Sequence, residues 1–397
     1  MNKKVGLAIV TYGTNYGTYL QAFATQYIVR KQGYDTEVIN IESVRNEVGS
    51  ARRKYFAKQI FNIPELKSYM HVIIGIFFEK INNSYREYIN NRKMQFKKFR
   101  EKMFCFSEVR DSWDGLTDLC TEKYSHVLVG SDQLWRPANI AGNFYTLNFV
   151  PDSICKIAYA PSFGLKNVKS NQIDIARHFL NRINHLSVRE ESGAKIVSSL
   201  IGRAIPVVCD PTMLLTRSEW SDFVAVEPII KDKYILCYFL GDNKIHREYV
   251  KKLSARTGCK IVVLRHIAGY IALDKNFGDI VPNDIGPFEF LNLVKNADYV
   301  CTDSFHGCVF ASIFERNLFA FRRFVKNSKM STNDRITTLL NKLGSDNALI
   351  YGDESLDDCL KNIIDYNDVA EKLDQYREYS LNYLKTAFAN MNTDLKS

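Results

Sequence analysis

Short, unbroken apolar runs alternate along the chain with stretches whose apolar positions recur at helical spacing. VGLAIV (5–10) is the first run, and its continuity fits a strand buried on both faces. The following TYGTNYGTYLQAFATQYIVRKQGY breaks at Gly13 and Gly17, then repeats Leu20, Phe23, Ala24, Tyr27 and Ile28 with helical period. TEVINI (36–41) predicts a second strand, so the chain opens as a βαβ unit of a parallel sheet. Residues 45–110 read instead as helical and polar, around the apolar stretch YMHVIIGIFF (69–78). That stretch is too short to span a bilayer, which takes about 20 residues, and suits a buried or interfacial helix.

Strand–helix alternation resumes at HVLVGSDQLWRP (126–137), KIAYAPSFG (156–164), HLSVREESGAKIV (185–197) and PVVCDPTMLL (206–215). A new unit begins at YILCYFLGDN (234–243), continues through KIVVLRH (260–266) and NADYVCTDSFHGCVFASIFERNLFAF (296–321), and ends in a helical tail. There is no internal repeat and no low-complexity linker. The pattern predicts an α/β protein of two Rossmann-like domains facing across a cleft. The first covers 1–225 with a helical insert at about 45–110, and the second covers 226–397 with the tail; they join near 215–233. At 397 residues and 46% hydrophobic content the chain can fill two cores.

Charge sharpens the picture of the insert. The net charge is +9, and residues 45–110 hold 15 Lys/Arg against 6 Glu and no Asp, so the whole excess sits there. No recognised nucleic-acid module accompanies it, and a nucleic-acid partner is not expected. Nine scattered cysteines, an odd number without CxxC spacing, point to reduced thiols and a cytosolic compartment. The opening MNKKVGLAIVTYG lacks a signal-peptide cleavage site and reads as a strand. No HExxH, His/Cys cluster, DxD or Walker A motif occurs, so no metal and no cofactor is expected.

The polar strand ends carry the candidate chemistry. His306, in CTDSFHGCVF, stands where a strand gives way to a helix whose first N–H groups and dipole favour an anion. An imidazolium there adds a transferable proton, and Gly307 allows close backbone approach; a satisfied core histidine is the plain alternative. Arg189 has the fork for a carboxylate or phosphate, or forms an ion pair with Glu190 or Glu191. Asp132 is either a base for a sugar hydroxyl or a turn residue, and Trp135 either stacks on a sugar or packs in a core. Asn15 and Gly17 are acceptor-side candidates by position, with turn chemistry as the alternative. Asp210-Pro211 reads as a structural turn.

In order, NYGTYLQAFA (15–24), GSDQLW (130–135), AYAPSFG (158–164), SVREESG (187–193), CDPTMLL (209–215), TDSFHG (302–307) and NDRITTLL (333–340) resemble the polysaccharide pyruvyl transferase family. The resemblance implies a GT-B-like fold. It also implies transfer of pyruvate from phosphoenolpyruvate to a sugar of a surface polysaccharide, such as a capsule, or of its lipid-linked precursor, forming a ketal across two hydroxyls. Family members often carry Arg-Leu-His before the glycine, the arginine helping to hold the donor. Here those positions are Ser304, Phe305 and His306, so the arginine is missing. Arg335, Arg322 and Arg323 are candidates to replace it, and Arg189 matches another donor arginine. A lipid-linked acceptor would explain the basic segment as a peripheral contact with the anionic inner face of the inner membrane; a solvated helical hairpin is the alternative. Two further readings stay open: a GT-B glycosyltransferase using a nucleotide sugar, and a non-catalytic glycan-binding protein.

Overall fold

The computed structural model describes residues 4–57, 74–75, 78–80, 82–165, 167–267, 270–323 and 333–390. The first half holds β1 (Lys4–Ala8), β2 (Asp35–Val38), β3 (His126–Val129), β4 (Cys155–Ala158) and β5 (His185–Leu186). They form one parallel sheet in the order β2-β1-β3-β4-β5. The second half holds β6 (Tyr234–Tyr238), β7 (Lys260–Val263), β8 (Tyr299–Thr302), β9 (Asn317–Phe321) and β10 (Leu349–Ile350). Their order, β10-β9-β8-β6-β7, is the same winding, again parallel. β3, β4 and β6 are buried along their whole length; β6 therefore reads as an unbroken apolar run, while β3 and β4 carry the buried polar His126 and Lys156. The winding reverses between β1 and β3 and between β6 and β8. Open α/β sheets take their ligands beyond the carboxyl ends of strands at such a reversal.

The basic insert is more than a surface hairpin. Its Asn83–Met103 helix buries Tyr85, Tyr88, Ile89, Arg92, Phe96 and Phe99 along one stripe, while Arg86, Lys93, Lys97, Lys98 and Lys102 stay exposed. Phe96 packs on Tyr16 and Tyr19 of the first half, with ring centroids 5.1 and 4.9 Å apart. Phe99 meets Phe288 of the second half at 4.9 Å. The Arg92 guanidinium lies over the Tyr16 and Tyr88 rings at 5.1 and 5.0 Å. The helix therefore joins the two halves, each buried aromatic adding about 1.5–3 kcal/mol of transfer free energy. Of the apolar stretch 69–78, all but 74, 75 and 78 lies outside the described residues. Among the described residues no helix is long and apolar enough to cross a membrane.

The tail departs from its place in the sequence. The Tyr366–Ala389 helix returns to the first half, where Tyr383 Oη donates to the Ala158 carbonyl at 3.1 Å and Arg377 Nε to the Met213 carbonyl at 2.9 Å. Ser380 Oγ accepts the Cys209 N–H at 2.9 Å. Together with the stacked Tyr16–Phe290 pair, centroids 4.6 Å apart, these contacts hold the two strand-end faces opposite each other.

Candidate active site

His306 enters the crevice from the second half. Ser304 caps the Phe305–Ile313 helix: its Oγ accepts the Gly307 N–H at 3.4 Å, and its own N–H donates to Thr302 Oγ1 at 3.0 Å. The amides of Phe305 and His306 have no acceptor within the helix. Gly307 serves packing rather than ligand approach, since a Cβ there would stand 2.5 Å from Thr302 Oγ1. The His306 ring is buried, not cleft-exposed, with 6% of its surface accessible.

Gly17 closes on that ring from the first half. A Cβ on Gly17 would lie 2.0 Å from His306 Nδ1, so the imidazole occupies the place of the missing side chain. Asn15 caps the Tyr16–Lys31 helix by accepting the Thr18 N–H at 3.2 Å. Thr18 Oγ1 in turn donates to Asp132 Oδ2 at 2.8 Å. Asp132 has a left-handed backbone, φ 75°. Burial opposes its charge, but Arg189, His306 and the hydrogen bonds from Thr18 and Gln133 hold its carboxyl below the usual range.

Asp210 is the hub. Its fully buried Oδ2 accepts from Arg189 Nη1 at 2.8 Å and Ser131 Oγ at 2.9 Å, and lies 3.5 Å from His306 Nε2. Oδ1 accepts the Thr212 N–H and hydroxyl at 3.0 and 2.8 Å. Burial opposes the charge here too, but His306 and Arg189 outweigh it and hold this carboxyl far below the usual range. Asp210 does cap the turn that the sequence predicts, and it also links Arg189 to His306.

Arg189 is buried, and its guanidinium is 4.7 Å over the Phe305 ring. Its Nε lies 3.8 Å from Glu190 Oε2, the ion pair that the sequence offered as the alternative, and neither Nε nor Nη2 has a hydrogen-bond partner among the described residues. Arg335, half-buried, comes from the second half, and its Nε likewise has no hydrogen-bond partner among the described residues. Burial and the nearby Arg189 charge push it down to about 9, so it stays charged at neutral pH. Arg189, Asp210, Phe305 and Arg335 line a void of about 20 Å³ between the halves, room for one water.

Two other arginines are already engaged. Arg323 pairs with Asp303, whose carboxylate also takes the Leu240 and Gly241 N–H groups, and Arg322 donates to Thr337 Oγ1. Trp135 is not placed to stack on a sugar. It is fully buried between Phe163 and Phe179, with Nε1 donating to the Tyr145 carbonyl at 3.1 Å. Sequence reasoning passed over Thr18, read Asp210 only as a turn, and read Glu190, which accepts from Ser162 Oγ at 2.7 Å, only as a partner of Arg189. The ordered motifs that contain these residues were the available signal.

Two doubly wound sheets with a charged cluster in the crevice between them define a GT-B-like α/β protein. The chain belongs to the polysaccharide pyruvyl transferase family, whose model matches residues 15–323, and it is thus a transferase of polysaccharide biosynthesis. No curated protein matches it. Among solved structures it is similar to the UDP-N-acetylglucosamine 2-epimerase of Rickettsia bellii, with 10% identity over 98% of this chain and 97% of that one and a TM-score of 0.49. It is also similar to S. aureus MnaA in a co-structure with UDP, at 12% identity, 99% and 98% coverage and a TM-score of 0.49. The glycosyltransferase SnogD from Streptomyces nogalater gives 12% identity, 98% coverage of both chains and a TM-score of 0.44.

Proposed function

We propose that the protein transfers pyruvate from phosphoenolpyruvate to two hydroxyls of one sugar in a surface polysaccharide or its precursor, forming a ketal and releasing phosphate. The observation that carries this reading is the buried Arg189, whose Nε and Nη2 make no hydrogen bond among the described residues, Nε having only Glu190 Oε2 at 3.8 Å, beside Arg335 Nε, which makes none there either. Buried guanidinium N–H groups without acceptors are costly, and an anion that accepts from them relieves that cost. Phosphoenolpyruvate offers two anionic groups. In this reading Arg335, which lines the same void as Arg189 and Phe305, takes the part of the missing motif arginine, and the donor, larger than the void, enters by a parting of the halves.

The chemistry balances as follows. A proton adds to C3 of the donor, making C2 electrophilic, and one sugar hydroxyl adds there, losing its proton. Phosphate leaves as the C2–O bond breaks and takes up a proton, and the second hydroxyl closes the ketal, losing its own. His306 supplies the proton to the departing phosphate at the helix N-terminus, with Asp210 orienting and stabilising the imidazolium. Asp132, held ionised, accepts a proton from an acceptor hydroxyl.

Phosphate release from phosphoenolpyruvate with candidate glycans tests this. His306→Ala should lower turnover about 10²–10⁴-fold with the protein still folded. His306→Asn, which can donate a hydrogen bond but transfer no proton, should match it. An Asn variant that keeps substantial activity reduces the ring to a binding role, and absence of any glycan-dependent release rejects the reading.

A further inference from the structure

A second pocket, of about 280 Å³, lies between the start of the Asn83–Met103 helix and the chain that follows β7. Tyr85 and Asn82 line it from the insert, and Arg265, His266, Tyr270 and Asn276 from the second half. Its walls are fixed in place: Tyr88 Oη accepts the Arg265 N–H at 3.1 Å, and the Tyr85 and Tyr270 rings meet edge to face at 5.3 Å.

Two polar groups of its lining residues lack hydrogen-bond partners among the described residues. Tyr85 is 8% exposed, and its Oη has no hydrogen-bond partner. Burial pushes the hydroxyl up to about 12, so it remains a neutral donor. Burial and the Arg323 charge push His266 down to about 4, so at neutral pH the ring offers one donor and one acceptor. Buried Arg265 Nε is also unpartnered. Asp274, the acid of the pocket, is already taken by Arg247 at 2.8 Å. The lining thus pairs aromatic rings with hydroxyl, amide and imidazole groups. That chemistry recognises a sugar, whose C–H face lies on a ring while its hydroxyls exchange hydrogen bonds. The volume is at the lower end for small-molecule sites, about 300 Å³, which suits a single ring.

We infer that this pocket is a subsite for a glycosyl residue, built jointly by the insert and the second half. Arg265 and His266 follow the carboxyl end of β7 and His306 follows that of β8, and β6 pairs in parallel with both strands, so the pocket lies on the same strand-end side of the sheet as His306. Resting on the proposed pyruvyl transfer, the subsite would hold a sugar of the acceptor beside the one being modified.

Saturation-transfer NMR on the full chain, without phosphoenolpyruvate, tests the subsite apart from the donor reading. The probes are the methyl glycosides of glucose, galactose, mannose and N-acetylglucosamine. At least one should receive saturation, and Tyr85→Phe, which keeps the ring and removes Oη, should weaken it about fivefold, the value of one hydrogen bond. No saturation of any glycoside, or an affinity unchanged in Tyr85→Phe, overturns the subsite. So does UDP displacing the glycoside while losing affinity in the same variant, which would make it a nucleotide site. Glycoside binding without donor turnover would leave the subsite standing and reject only the pyruvyl reading.

Discussion

Gly17 carries no side chain because the His306 imidazole fills the space where one would stand. Gly17→Ala must therefore tilt the ring or separate the halves. A displacement of that size costs roughly 10²-fold in rate, so phosphate release should fall by that factor with the protein still folded by thermal unfolding; wild-type turnover would remove Gly17 from the site. Arg189→Lys keeps the charge but loses the fork that reaches Asp210 while leaving N–H groups for the donor. The Michaelis constant for phosphoenolpyruvate should rise about tenfold or more, reflecting roughly 1.5–3 kcal/mol for hydrogen bonds to a charged group. An unchanged constant would confine Arg189 to its ion pairs with Asp210 and Glu190. At this scale the sequence revealed residue types at strand ends but not their partners. Asp210 reads as a turn because its cap to Thr212 is local, whereas its contacts to Arg189 and His306 span 21 and 96 residues. Trp135 offered the opposite lesson, since a tryptophan after a strand looks the same in sequence whether its ring faces a cleft or a core.

The Asn83–Met103 helix has two faces with separate tasks. The spacing of Tyr85, Tyr88, Ile89, Arg92, Phe96 and Phe99 was readable as one buried stripe. What that stripe packs against was not, because its partners come from both halves of the chain. The exposed cations Arg86, Lys93, Lys97, Lys98 and Lys102 suit an anionic surface, at about 1 kcal/mol each near anionic lipid. The protein should sediment with anionic vesicles at low salt and be released at high salt. Triple reversal of Lys93, Lys97 and Lys98 to Glu should abolish binding and spare turnover on a soluble acceptor; no sedimentation at low salt ends the idea. The Lys244–Thr257 helix supports a pH prediction. Burial pushes His246, fully enclosed on that helix, down to about 4, against about 6.5 when unfolded. Between those values the unfolded chain binds the proton and the native one does not. Stability is therefore full above about pH 6.5 and falls as pH drops toward 4, by about 3 kcal/mol for this group. Denaturant unfolding should show His246→Asn with a shallower decline over that window, and an unchanged slope would contradict it.

Across the whole molecule, the alternation of apolar runs and helical segments revealed two parallel sheets, because strands buried on both faces leave an unmistakable unbroken pattern. Chain order did not reveal that the last helix returns to the first half, since an amphipathic helix does not name the surface it will cover. That return, the aromatic seam and the insert keep the two strand-end faces opposed, so Arg189 and Asp210 of one half meet His306 and Arg335 of the other. The most direct test of the central claim is to run the reaction in D₂O with phosphoenolpyruvate and an acceptor glycan and to follow it by proton and phosphorus NMR. Pyruvyl transfer through protonation at C3 predicts a new methyl signal on the glycan, carrying one solvent deuteron and growing in step with inorganic phosphate. Unconsumed phosphoenolpyruvate across the glycans tested, while a nucleotide sugar is turned over with nucleotide release, would contradict it.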